Sequence, residues 1–162
     1  MDNALKLFER IVRQAPAITE ARSDPPGGQH PFDERNIHSN IQAISKKLFD
    51  DGHYASATFE AYKLIDKEVG KLSGLKESGV KLMMKAFSET SPMIKLTNLS
   101  STSETDEQEG YKFIFSGSIM AIRNPRGHEY NLNESPTECL DHLSLASLLL
   151  RKLEKSKQLE DR

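Results

Sequence analysis

Two apolar stripes joined by a single Asp-Gly step constrain this chain more than any other feature. Ile37, Ile41, Ile44 and Leu48 recur every three or four residues, and after Asp51-Gly52 the period resumes at Ala55, Phe59, Tyr62, Ile65, Val69 and Leu72. That spacing puts each set on one face of a helix, so helices are expected over about 33–50 and 53–72. Gly52 suits a left-handed helix stop. A link this short forces the two helices to pack as an antiparallel hairpin, and Ala55, Ala57 and Ala61 leave room for close approach.

The other segments extend the helical pattern. Gly74 and Gly79 punctuate a turn before a shorter helix over about 80–88, with Val80, Leu82, Met83, Met84 and Phe87. Residues 97–110 are rich in Ser, Thr and acid and read as an exposed loop. A helix over about 107–123 is expected to bury Tyr111, Ile114, Phe115, Ile119 and Ile122, with Ser116-Gly117-Ser118 permitting a close crossing. Asn124 precedes a proline and is biased away from the helical region, so this helix is expected to end or kink there. Ser135-Pro136-Thr137-Glu138 reads as a capping box with proline in the first turn, and Leu140, Leu143, Ala146, Leu150 and Leu153 continue inward. The tail at 154–162 is charged and expected to fray. Upstream, Leu5, Phe8, Ile11, Val12 and Ala15 define a separate helix over 2–15, followed by a linker around Asp24-Pro25-Pro26-Gly27-Gly28.

The expected fold is therefore all-α: an antiparallel helical bundle over 33–153 with an extra N-terminal helix and linker over 1–32. The strongest rival signal, Phe113–Phe115, is too short for a strand.

At 162 residues the chain can hold one domain with a real core. Its net charge of -2 supplies no bulk attraction to nucleic acid, so binding of that kind would need a local basic patch. A lone cysteine, Cys139, excludes an internal disulfide and a cysteine-based metal cluster. No run of 18 apolar residues exists and the first residues do not read as a secretory signal, so a cytoplasmic location away from membranes is expected.

The densest chemistry lies in Arg123-Asn124-Pro125-Arg126-Gly127-His128-Glu129-Tyr130. A guanidinium can bind phosphate oxygens through paired donors. An imidazole titrating near neutrality can move a proton on or off a hydroxyl. RNA offers a substrate for both, a 2′-hydroxyl beside a phosphodiester. The five histidines are scattered without a companion carboxylate motif, so neither metal nor cofactor is expected. The bland reading of Arg123 is a charge at the negative end of a helix, and that of His128 is a structural turn residue. Asn124 reads equally as a cap of the broken helix and as a bridge into the next turn. Arg126 reads as a solvent-facing charge that steers substrate, and Glu129 as an orienting or a solvated carboxylate. His53 and Tyr54 are expected to cap and pack.

An all-α hairpin scaffold with Arg-Asn-x-x-x-His at the end of its penultimate long helix resembles the HEPN superfamily of prokaryotic ribonucleases and toxins. Residues from about 33 to 150 resemble its Ymh-type group of bacterial proteins, through Gly52-His53-Tyr54-Ala55, Gly79-Val80-Lys81-Leu82-Met83, and Asn124-Pro125 with His128. The resemblance implies that Arg123 and His128 are a catalytic pair, with Asn124 often part of the site. It also implies a homodimer that brings two motifs into one cleft. In a subset ending in His-x-Tyr, as His128-Glu129-Tyr130 does here, the tyrosine is adenylylated by a partner nucleotidyltransferase. The implied function is a metal-independent endoribonuclease, acting as an RNA-targeting toxin or phage-defence effector that an antitoxin could hold in check. The competing expectation is a non-catalytic helical module that uses the same turn for dimerisation or for binding a nucleotide or a partner.

Overall fold

The computed structural model describes residues 28–129 and 132–160, apart from the side chains of 158 and 160; the helix expected over 2–15 and Tyr130 lie outside them. Backbone contacts divide the chain into two units, Met1–His30 and Pro31–Arg162, and the described helices belong to the second. Among the described residues the fold is all-helical, with no strand, as the periodicities imply.

In chain order the elements are α1 (Pro31–Glu34), α2 (Ser39–Asp50), α3 (Tyr54–Ser73), α4 (Gly79–Ala86), α5 (Thr102–Ser118), a π-helical segment (Ile119–Arg123), α6 (Asn124–His128) and α7 (Pro136–Glu160). The hairpin forms as expected: α2 and α3 pack together, and Gly52 takes φ of 81° between them. Helix α3 is the central element, contacting α2, α4, the π segment, α6 and α7. Its Ala57, Ala61, Tyr62, Ile65 and Val69 are fully buried beside Phe87, Phe115, Ile119, Leu143, Ala146 and Leu149. The rings of Phe87 and Phe115 stack 4.4 Å apart at the centre of this core.

Several expected boundaries move, each for a local reason. The helix expected over 33–50 breaks at residues 35–38, where Asn36 takes φ of 49°, a conformation asparagine tolerates better than most residues. His38 then caps α2, its Nδ1 accepting from the Asn40 amide at 3.2 Å while its own amide donates to Ser147 Oγ at 3.0 Å. Residues 102–110 are not loop but the first half of α5. Ser101 accepts from the Glu104 amide and the Glu104 carboxylate reaches back to Ser100, so the Ser/Thr/acid composition is a helix cap. Gln108, fully buried, accepts from the Leu96 amide and donates to the Phe87 and Ile94 carbonyls, tying the 87–96 connection to α5. The expected frayed tail is helical through Glu160: Ser156 is buried and Glu154 pairs with His38 at 2.9 Å.

The inward face of α5 also differs. Phe115 and, in the following π segment, Ile119 are buried, but Ile114 is exposed, as is Ile44 on α2. With Gln108, Lys112, Ser116 and Ser118 taking the inner positions, Phe113, Ile114 and Met120 are left in solvent beside the exposed Gly110 and Gly117.

Truncation of a stacked, fully buried ring should cost about 3–5 kcal/mol through lost burial and cavity formation. Phe115→Ala is therefore expected to lower the urea midpoint of the described unit by that equivalent. A shift under about 1 kcal/mol would mean that α5 does not pack on α4 as described.

Candidate functional site

The Arg123–His128 stretch is held in helical geometry. Pro125 has no amide hydrogen and its ring crowds the preceding turn, which ordinarily breaks a helix. Here the turn before it widens into the π segment, and the Asn124 amide bonds to the Ile119 carbonyl five residues back. Asn124 remains helical at φ of -64° and ψ of -44°, and the chain continues as α6 to His128. Of the expected end or kink at Asn124, the end does not occur: the extra residue of the π turn accommodates the proline and the chain stays helical. Such bulges inside α-helices occur often at functional sites.

Arg123 closes the π segment. Its Nη1 donates to Asn124 Oδ1 at 3.2 Å, and its guanidinium lies 5.6 Å from the centre of the Phe59 ring. Its Nε is buried with no acceptor among the described residues. Buried donors in native structures nearly always have a partner, so an orphan of this kind is a feature to explain. Lys63, one turn along α3, approaches the same ring at 5.8 Å while pairing with Glu60 at 2.8 Å. Gly127 packs against Phe59 so closely that a Cβ there would lie 3.0 Å from the ring, which explains the glycine. His128 is exposed, and among the described residues its imidazole makes no hydrogen bond or ion pair.

Arg126 is corrected from a solvent-facing charge to a buried one. Its side chain is 5% exposed and its Nε donates to Glu134 Oε2 at 2.8 Å, while the Glu134 side chain is wholly buried. Arg126 Nη1 also donates to the Ile122 carbonyl at 2.8 Å. The other oxygen, Glu134 Oε1, lies 2.6 Å from His142 Nδ1 and 2.9 Å from Thr58 Oγ1. A carboxylate only accepts, so His142 Nδ1 carries the proton and donates to it. Arg126 Nη2, 3.3 Å from that same Nδ1, then meets an N–H and not a lone pair. Tyr62 donates to the His142 carbonyl at 3.0 Å, and the Cys139 thiol donates to the Tyr54 carbonyl at 3.4 Å.

A family model described as a protein of unknown function, Hypoth_ymh, matches residues 35–153. The chain belongs to the Hypoth_ymh family. No curated protein and no solved structure matches it.

In this Hypoth_ymh chain the structure brings Arg123 and Asn124 into direct contact and places His128 on the same short helix. No direct contact joins Arg123 to His128 among the described residues. Tyr130 falls outside those residues. Sequence reasoning missed Phe59 as the ring under Arg123, and it missed the Glu134, His142 and Thr58 group. Glu134 precedes the Ser135 cap and looks like a solvated residue of a helix entry. The available signal was Arg126 itself, a second arginine three residues after Arg123. Among the described residues no three His, Cys, Asp or Glu side chains are placed to hold a metal ion, and no helix is long and apolar enough to cross a membrane.

Burial pushes the Cys139 thiol up to about 12, only partly offset by its contact with Thr58. An ordinary cysteine titrates near 8.5, so thiolate at pH 8 should be depleted by about three orders of magnitude. Cys139 should stay unlabelled by a disulfide reagent at pH 8 in native buffer and react promptly in urea. Rapid native labelling would contradict the burial of this cluster.

Proposed function

We propose that this chain is a HEPN-type endoribonuclease that cleaves RNA without a metal ion, acting as a toxin or phage-defence effector. The observation that carries the reading is the Arg123 guanidinium, whose buried Nε at the end of a π turn has no acceptor among the described residues, with an exposed imidazole five residues on that has no partner among them. A phosphate oxygen is an acceptor that would satisfy that Nε through a charge-assisted bond. His128 would remove the proton of a ribose 2′-hydroxyl; the oxygen would attack the adjacent phosphorus, and the bond to the 5′-oxygen would break as that oxygen gains a proton. The products would be a 2′,3′-cyclic phosphate and a 5′-hydroxyl. Asn124, bonded to Arg123, would hold the guanidinium in place.

One imidazole supplies either the base or the acid of this sequence, and a second copy would supply the other. The exposed Phe113 and Ile114 of α5 and Met120 of the π segment support a homodimer on this part of the surface, since three neighbouring large apolar side chains are costly to leave in water. Two Arg123 and two His128 would then share a cleft across a two-fold axis. A nucleotidyltransferase acting on Tyr130, or an antitoxin, would be a further partner of this reading.

Cleavage of single-stranded RNA by the purified chain should persist in excess EDTA and leave cyclic phosphate ends. Arg123→Ala and His128→Ala should each lower the rate by about 10²–10⁴ without unfolding the bundle. Folded variants with full activity would remove the catalytic assignment, and a strict magnesium requirement with 5′-phosphate products would point to different chemistry.

Light scattering at micromolar concentration should give about twice the 18.2 kDa chain mass. Phe113→Glu is expected to reduce it to one chain mass. Mixed Arg123→Ala and His128→Ala protomers should regain part of the activity, and a monomer that cleaves at the wild-type rate would rule out a shared cleft.

A further inference from the structure

Helix α6 carries both Asn124 and His128, and its own means of staying in place are few. It is five residues long and none of its residues is buried as a whole. Pro125 gives no amide hydrogen and Gly127 gives no side chain. The segment enters from a π turn, a less regular geometry than the α-helix. What penetrates the protein is one side chain, Arg126, whose guanidinium ends on the buried Glu134 carboxylate and the Ile122 carbonyl. Arg126 lies two residues before His128 on α6 and three after Arg123 of the π segment, and its guanidinium is the anchor of α6 on a buried group.

We propose that Glu134 is a positioning residue for this site: through Arg126 it holds α6 in the rotation that sets Arg123 and His128 relative to each other. The proposal rests on reading Arg123 and His128 as a site. The carboxylate is itself held from two further elements, by Thr58 of α3 and His142 of α7, at 2.9 and 2.6 Å. Helix α6 is thereby referenced to the two longest helices of the bundle. The alternative is that the cluster only stabilises the fold. Burying an ion pair is a poor route to stability, since apolar residues of similar volume often do as well, and that fact supplies the test.

The double variant Arg126→Met with Glu134→Leu removes both charges together and leaves neither uncompensated. A merely structural role predicts a folded protein with α6 unchanged. A positioning role predicts a folded protein whose amides at 126–129 exchange with deuterium at least about tenfold faster while those of α3 stay protected. It also predicts a kcat for His128-dependent cleavage that falls about 10²-fold, the cost of a misplacement near 1 Å, with KM changed much less. Unchanged exchange at 126–129 in the folded double variant would overturn the proposal. If the wild-type chain cleaves no RNA, the ribonuclease reading fails, and the exchange measurement still decides whether Glu134 sets α6. Should the double variant not fold, Arg126→Met alone, which leaves His142 donating to Glu134, is read by the same exchange with the same two outcomes.

Discussion

A carboxylate shut away from water needs donors on several sides, and Glu134 finds them on three helices that the sequence keeps far apart. Thr58 comes from the long helix after the hairpin turn, Arg126 from the short helix after the π segment, and His142 from the last helix. Each partner would be costly to leave alone, because removing one strands a buried charge or an unpaired donor. The group is therefore satisfied in one arrangement of three elements and poorly in any other. The apolar core is less demanding, since it tolerates exchanges of similar volume. The polar cluster supplies a constraint on angle and register that core packing alone does not.

That division explains what could be read from the residues alone. The α2–α3 hairpin, the stop at Gly52 and the entry to α7 at Ser135-Pro136 follow from period and capping, which act within a few residues. The break at residues 35–38 does not, because His38 is drawn out of the helix by Ser147 and Glu154, more than a hundred positions away. The same holds for Arg126: as one charge in a polar turn it looks solvated, and only the fold reveals that Glu134 lies against it. Residues 102–110 are a different case. Their composition was legible in two ways, and the cap formed by Ser101 and Glu104 decides for helix. Ile114 was assigned inward because the apolar stripe on this helix is wide. The inner positions hold Gln108, Lys112 and Ser116, whose polar ends have partners: Gln108 on buried backbone groups, Lys112 on the partly exposed Glu89, and Ser116 on the Phe113 carbonyl.

At the candidate site the residue types draw attention to Arg123 and His128 but do not give their setting. That Arg123 lies over Phe59, touches Asn124 and leaves its Nε without an acceptor depends on the π turn and on the close approach of Gly127 to the same ring. Phe59 has the spacing of a core residue, yet it is only half-buried and lies outside the apolar core. Its outer surface is also the floor beneath two cations, Arg123 and Lys63.

The π turn also acts as a phase shifter. An α-helix advances about 100° per residue, so one inserted residue between 119 and 123 rotates all that follows by that angle relative to an uninterrupted helix. The face of α5 that carries Phe113 and the face of α6 that carries His128 are related through that offset. A chain shortened by one residue here could still bury Phe115, which precedes the segment, yet it would present its imidazole to a different quarter of the surroundings. In this fold the length of a five-residue segment, as much as the identity of any side chain in it, sets which way the chemistry points.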